Sequence, residues 1–307
     1  MGVADSMATS ERGTATADVA DLRALVEVEL ARAFSADDRS VAALGAAIDY
    51  SLLAPGKRIR PILVLAAAEA AGADPARVAQ IAAAFELVHA YSLVHDDLPA
   101  MDDDDLRRGV PTSHAVYGDG IAVLVGDALQ ARAFELVATA SQVDAQARID
   151  VVAVLAHAAG WRGMVGGQYL DIDETRTDTG DLDALRDVHD RKTGALIAGA
   201  IEAGAIAAGA AADARAAFAA FGRELGWLFQ IVDDLLDATG SVAALGKTPG
   251  KDARSGKVTA IDVFGGIEHL RGAVDAQLER CLTHATALPA GGGRLPSIAR
   301  FVHGRDH

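Results

Sequence analysis

The stretch that decides the fold is Phe85-Glu86-Leu87-Val88-His89-Ala90-Tyr91-Ser92-Leu93-Val94-His95-Asp96-Asp97-Leu98-Pro99-Ala100-Met101-Asp102-Asp103-Asp104-Asp105. Its first half carries apolar side chains at helical spacing, and its second half is mostly carboxylate. An acidic run is usually a solvated face. This one issues directly from an apolar helix, and charges at the end of a buried helix need partners. His89 shares a helical stripe with Phe85 and Ser92 that leads to the aspartates, so it reads as lining a cavity. A second cluster, Asp233-Asp234-Leu235-Leu236-Asp237, follows Ile231-Val232, and Asp233 and Asp237 fall on one helix face. Carboxylates crowded in this way raise one another's proton affinity, and hard divalent cations remove that penalty. Magnesium is usually held by one or two carboxylates plus substrate phosphates. Two such clusters on facing helices can clamp several ions around a diphosphate.

Outward from these clusters, the chain of 307 residues is 51% apolar, only 5% aromatic and rich in alanine. Alanine is the best helix former, and alternating strand patterns are few, so the fold expected is all-α. Asp18 or Asp21 reads as the cap of a helix reaching toward Phe34. Further helices are expected over Pro61–Ala71, Pro75–Asp97, Asp127–Ser141, Ala145–Tyr169, Leu182–Gly209 and Ala214–Ala238. A polar loop follows from Gly240 to Lys257, and Gly291 to Gly293 with Pro296 punctuate the C-terminal part. No internal repeat or long linker divides the sequence. One domain is expected over residues 18–307, with a core from Val19 to Val302, after a disordered tail of residues 1–17.

The net charge of −15 argues against nucleic acid and anionic membrane surfaces as partners. Metal ions or a few local cations still allow anionic substrates to bind. No run of about 18 uncharged apolar residues occurs, so no stable membrane insertion is expected. The nearest run, Thr193 to Ala212, is interrupted by Glu202 and reads as a buried alanine-glycine helix. The N-terminus lacks the order of a signal peptide, and Met1-Gly2 with Ser6 matches the myristoylation pattern only loosely. Cys281 alone excludes an intrachain disulfide and suits a reducing compartment, so a cytoplasmic location is expected.

Cations stand at separate points along the chain. Gly56-Lys57-Arg58-Ile59-Arg60-Pro61 places three at a helix entrance, where Lys57 and Arg60 can converge on an anion. Arg107-Arg108 follow the first acidic run directly. Lys192-Thr193-Gly194 and Gln230 put polar groups on otherwise apolar helices. Gly246-Lys247, Lys251 and Lys257 lie in a glycine-bearing loop that could close over phosphates.

With these residues in place, the sequence resembles the trans-polyprenyl diphosphate synthase family, in its branch of bacterial farnesyl and geranylgeranyl diphosphate synthases. The resemblance rests on Gly56 to Pro61, Asp96 to Gly109, Gly166-Gly167-Gln168, Lys192-Thr193-Gly194, Phe229 to Asp237 and Gly246 to Lys257. It implies a single-domain, all-α isoprenoid-synthase helical bundle around a central cavity, a homodimer, diphosphate substrates and three magnesium ions. Asp96 and Asp102 would hold two ions with Asp97 in support. Asp233 would hold the third, with Asp237 in the same motif. Arg107, Lys192, Lys247 and Lys257 would grip the allylic diphosphate. Gly56, Lys57, Arg60, His89 and Arg108 would receive isopentenyl diphosphate. Lys192, Thr193 and Gln230 are the expected catalytic residues, the last two stabilising a carbocation through their oxygens. Tyr91, five before Asp96, would floor the product pocket beside the smaller Ser92, which makes farnesyl diphosphate the expected product. Pro55 departs from the farnesyl pattern and leaves geranylgeranyl diphosphate as the alternative. Three other readings fit less well. A class I terpene cyclase mixes Asn, Ser or Thr into its second metal site. A non-catalytic subunit of a heteromeric synthase tends to lose its acidic motifs. A diiron bundle needs a Glu-x-x-His pair on each of two helices, which this chain lacks.

Overall fold

In the computed structural model the described residues are 19–34, 41–173, 181–239 and 259–305. The expected tail, and Gly246, Lys247, Lys251 and Lys257, lie outside them. The alanine-rich sequence forms helices in close succession: α1 (Ala20–Ala33), α2 (Ala42–Leu52), α3 (Ile59–Ala70) and α4 (Ala79–Asp96). A two-stranded hairpin, β1 (Leu106–Arg107) and β2 (Val110–Pro111), precedes α5 (Ser113–Tyr117) and α6 (Asp119–Thr139). Then come α7 (Ala145–Ala159), α8 (Met164–Ile172), α9 (Leu182–His189) and, after a π-helical turn at Asp190–Gly194, α10 (Ala195–Ala207). The series ends with α11 (Ala212–Thr239), α12 (Ala260–Phe264), α13 (Ile267–Ala285) and α14 (Leu295–His303). The fold is all-α, as expected.

The most apolar helices are the innermost. α10 packs against α3, α7 and α11, and α4 packs against α3 and α6. A helix that is apolar on every side has no face for water and goes inside. Small alanines let these helices approach closely, and Phe85, Phe218 and Phe221 fill the larger gaps, all fully buried. Truncating Phe85 to alanine would cost about 3–5 kcal/mol by the usual cavity cost.

Several helix boundaries differ from the sequence expectation. α1 begins after Val19 with no side-chain cap. Asp21 lies instead in its first turn, bonded to Arg294 at 2.6 Å, and Asp18 is outside the described residues. Pro75–Val78 forms a 3₁₀ turn, capped by Asp74, before α4 begins. α6 starts at Asp119, eight residues before the expected start. The long helix expected from Ala145 ends at Ala159, because Gly160 turns the chain into extended conformation before α8. No helix among the described residues is long and apolar enough to cross a membrane. Cys281 is fully buried and burial pushes its thiol up to about 12, which removes it from thiolate chemistry at neutral pH.

Candidate active site

The first acidic cluster is built by a chain reversal. Pro99 cannot continue α4, so residues 97–105 fold back over its end. The amides of Asp102, Asp103 and Asp104 donate to the carbonyls of Asp96, Leu98 and Asp97 at 2.8, 3.1 and 3.2 Å. Asp102 thereby returns to Asp96 and adds its charge there. Burial raises the Asp96 carboxyl to about 6. Lys192 opposes that rise, while Asp102 and Asp97 reinforce it. Asp97 is 3% exposed. Both its oxygens accept from Arg107 on β1: Nε at 2.9 and 2.8 Å, and Nη2 at 2.6 Å. Asp97 therefore anchors Arg107, and both its oxygens are engaged there.

Lys192 stands on the π turn and donates to Asp171 of α8 at 2.7 Å. Burial disfavours its charge, but Asp171, Asp96 and Asp102 together hold its pKa above the ordinary value. α8 can pass this closely because of Gly167, where a Cβ would lie 2.3 Å from the Lys192 backbone nitrogen. Thr193 is half-buried beside it.

The second cluster lies within α11. Arg305 donates to Asp233 at 2.9 Å and to the Phe229 carbonyl at 3.2 Å, with its guanidinium 4.0 Å above the Phe229 ring. Burial raises the Asp233 pKa against the pull of Arg305, Lys57 and Arg60. Asp234 is pushed up to about 7 by burial, although Gln230 donates to it at 2.9 Å. His189 of α9 approaches Asp234 at 3.9 Å, too far for a hydrogen bond, and its buried Nδ1 has no partner among the described residues. Burial drives this histidine down to about 4, so it is neutral at pH 7. Asp237 is exposed and adds its charge to Asp234.

The basic wall comes from the entrance to α3. Arg58 caps it with φ +52, a costly conformation for a non-glycine residue. Its guanidinium is locked by Glu86 at 2.8 Å, Glu27 at 3.1 Å and the Ala54 carbonyl at 2.9 Å. That anchor leaves Lys57 and Arg60 flanking Asp233, whose charge supports both cations. Burial lowers the Arg60 pKa to about 10, and its Nε has no partner among the described residues. His89 is held well below the ordinary imidazole range by burial and then by Arg60, Arg108, Arg107 and Arg58, so it is neutral. Arg108 donates to the Pro55 carbonyl at 2.6 Å, and a Cβ on Gly56 would come within 2.9 Å of the same nitrogen.

Ser92 donates to the His89 carbonyl at 2.9 Å. Tyr91 is buried with its ring edge 5.9 Å from His95, and its hydroxyl lies near Gln130 outside hydrogen-bond geometry. Burial and the Asp96 charge raise its pKa.

The site thus gathers both signs of charge: Asp96 and Asp102 with Lys192, Lys192 with Asp171, Asp233 with Arg305, Lys57 and Arg60, and Asp97 with Arg107 beside Arg108. Its donors are carboxylate oxygens, the chemistry a hard divalent cation takes. Among the described residues no three acidic, histidine or cysteine side chains converge on one point. That is compatible with magnesium, which needs only one or two carboxylates when substrate phosphates complete its shell. Asp171, Glu86, His189 and Arg305 belong to this site and were not singled out in the sequence. Asp171 had a local signal, an acid three residues beyond Gln168 on the same helix. Arg305 had none.

The polyprenyl synthetase family profile matches residues 41–288. A geranylgeranyl diphosphate synthase of Cyanophora paradoxa is 44% identical over 266 residues, covering 85% of this chain and 87% of the relative. Geranylgeranyl pyrophosphate synthase 7 of Arabidopsis thaliana is 45% identical, covering 71% of this chain and 64% of the relative. The chain thus spans less than two thirds of that chloroplast protein. The apo structure of a FPP/GFPP synthase from Zymomonas mobilis superposes with a TM-score of 0.84 at 35% identity, covering 94% of this chain and 99% of that one. A geranyltransferase from Helicobacter pylori, complexed with magnesium and isoprenyl diphosphate, superposes at 0.77 with 29% identity, covering 92% and 95%.

Proposed function

The chain belongs to the polyprenyl synthetase family of prenyltransferases, and on that premise we propose that it joins isopentenyl diphosphate to allylic diphosphates and releases geranylgeranyl diphosphate. The observation that carries the reaction is the pair of acidic clusters with cations between them. Asp96, Asp102 and Asp233 would hold magnesium, which when bound stabilises charge on a departing diphosphate. Three ions remain the expected number. Lys192 and Arg107, each held by a carboxylate, present fixed positive charge where an allylic diphosphate would leave. Lys57, Arg60 and Arg108 form the basic wall suited to isopentenyl diphosphate. Neutral His89 can donate one hydrogen bond there without adding to the crowd of cations. Gln230 and Thr193 offer neutral oxygens that can face a carbocation without a charge that would capture it. The outward side chains of Ile121, Val123 and Leu124 on α6 support a dimer contact, which light scattering would test.

The geranylgeranyl product is favoured by the names of the Cyanophora and Arabidopsis relatives. A farnesyl product is the second reading, favoured by the buried ring of Tyr91 just before Asp96 and by the name of the Zymomonas neighbour. The test is turnover of labelled isopentenyl diphosphate with five-, ten- and fifteen-carbon starters, with magnesium or with chelator, sizing the products after dephosphorylation. Twenty-carbon product from all three starters is expected. Accumulation of fifteen-carbon product with an idle fifteen-carbon starter would establish the second reading, and no magnesium-dependent incorporation would overturn both.

A further inference from the structure

The basic wall is assembled from two separate parts of the chain. Lys57 and Arg60 stand at the entrance to α3, and Arg108 stands on the β1–β2 hairpin. Burial lowers the pKa of Lys57 and of Arg60, and the nearby Arg108 charge lowers each further. Three like charges gathered in this way repel, so the hairpin must be held in place. It is a poor platform by itself. Each strand has two residues, Pro111 brings no N–H to the ladder, and so short a pair is marginal in water. Its turn is unfavourable as well. Arg108 and Gly109 separate the paired residues Arg107 and Val110, with φ +53 and +79. Two positive φ values in a two-residue loop are the pattern of a type I′ turn, which favours Asn, Asp or Gly at the place that Arg108 holds. Backbone strain of this kind persists only where the surroundings impose it.

The restraint comes from the end of α2 and the segment after it. The Tyr50 hydroxyl donates to the Pro111 carbonyl at 2.7 Å, and Arg108 donates to the Pro55 carbonyl at 2.6 Å. The Tyr50 ring is itself steadied by Tyr117 of α5, edge-on at 5.6 Å. A substrate would treat the two bonds differently. A diphosphate gripped by Arg108 competes for the guanidinium that bonds Pro55. The Tyr50 bond uses no group that the diphosphate needs, so it persists when Arg108 turns to the anion. Arg107 has its own anchor in Asp97. We propose that Tyr50 is a positioning residue whose hydroxyl fastens β2 to α2 and so holds the strained Arg108 turn beside Lys57 and Arg60; this rests on the proposed function, which gives those three cations to isopentenyl diphosphate.

The test is Tyr50→Phe, which removes the hydroxyl and leaves the ring against Tyr117. The KM for isopentenyl diphosphate should rise about fivefold, the equivalent of one neutral hydrogen bond, with kcat and the KM for the allylic substrate within about twofold of wild type. Titration calorimetry with isopentenyl diphosphate should show the same loss of affinity. In an Arg108→Ala background the substitution should have almost no further effect, because no guanidinium is left to position. Unchanged affinity, an equal loss in both backgrounds, or a fall in kcat with KM unmoved overturns the proposal. Calorimetry separates this inference from the proposed reaction. Wild-type protein that binds isopentenyl diphosphate without incorporating it would sink the reaction alone, and the affinity lost in Tyr50→Phe would still support the positioning role. No binding by wild-type protein would overturn both.

Discussion

At the end of α4, Asp97 is 3% exposed and clasped through both oxygens by Arg107, a hairpin residue close in sequence. On α11, Asp233 keeps 37% of its side-chain surface and meets one nitrogen of Arg305, from the far C-terminal segment. Both are aspartate–arginine pairs beside an acidic cluster, yet they differ in kind. The first is a local, desolvated, bidentate clasp that fixes the hairpin onto the helix. The second is a single contact to an acid that other cations also reach. Geometry and burial, more than charge count, decide which pair belongs to the fold and which can exchange its partner for another cation.

The largest effect should fall equally on both clusters. Asp96→Ala and Asp233→Ala are each expected to reduce turnover by about a hundredfold or more, the scale of losing one charge-stabilising group. The thermal midpoint of Asp96→Ala should hold or rise, because repulsion with Asp97 and Asp102 is relieved, whereas Asp233→Ala removes the carboxylate that Arg305, Lys57 and Arg60 share and should lower it. Full activity of the double variant would end the metal-clamp reading.

Stability should separate the two pairs. Arg107→Ala strands the buried Asp97 and is expected to cost about 3–5 kcal/mol. Arg305→Ala is expected to cost less, because Asp233 keeps part of its surface and Lys57 and Arg60 still flank it. Urea unfolding of the two variants measures the difference, and similar losses would break the distinction.

A further comparison uses pH. Asp96 and Asp234 bind protons more tightly folded than unfolded, with pKa values of about 6 and about 7 against 3.8. Their contribution to stability is therefore fully present below pH 3.8 and is lost as pH rises through 6 and then 7. The metal-free protein should lose this part of its stability between pH 4 and 7. Magnesium with inorganic diphosphate should restore it at pH 7. Substituting Asp96→Asn should remove the lower part of the window and Asp234→Asn the upper part, and a profile unmoved by either would show that the carboxylates titrate normally.

The smallest effect expected on rate is also the most specific. Tyr91→Ala, one turn before Asp96, should leave the first condensation nearly intact and move the product distribution toward longer chains. Product sizing checks this. An unchanged distribution in an active variant would mean that Tyr91 only packs α4 against α6.

The extent to which these features could be read from sequence follows from the range of the contacts. The two aspartate clusters, the paired arginines and the lysines at the α3 entrance stand in runs whose composition conflicts with their apolar surroundings, so each was visible locally. Asp97 and Arg107 lie within one fold-back, and that pairing was close at hand. Arg58 and Glu86 were visible only as separate charges, because their pairing depends on α3 lying against α4. Arg305 is an ordinary basic residue until α14 delivers it to α11. The boundary errors have the same origin. A periodic pattern continues through Gly160 and through the π turn, since hydrophobic spacing reports which face is buried and not where the backbone changes course.

That π turn has a consequence for anyone who compares or rebuilds this helix. A π turn carries an extra residue relative to the α-helix on either side, so α9 and α10 are out of phase by about 100°, the rotation of one residue. A helical wheel drawn through Leu182–Ala207 as one cylinder would aim α9 that far from where it points when α10 is correctly placed. Deleting one residue between Asp190 and Gly194 would give a smoother helix, but it would rotate His189 away from Trp227 and draw Lys192 off Asp171. The irregular turn is what sets the phase of the two helical halves around the charged site.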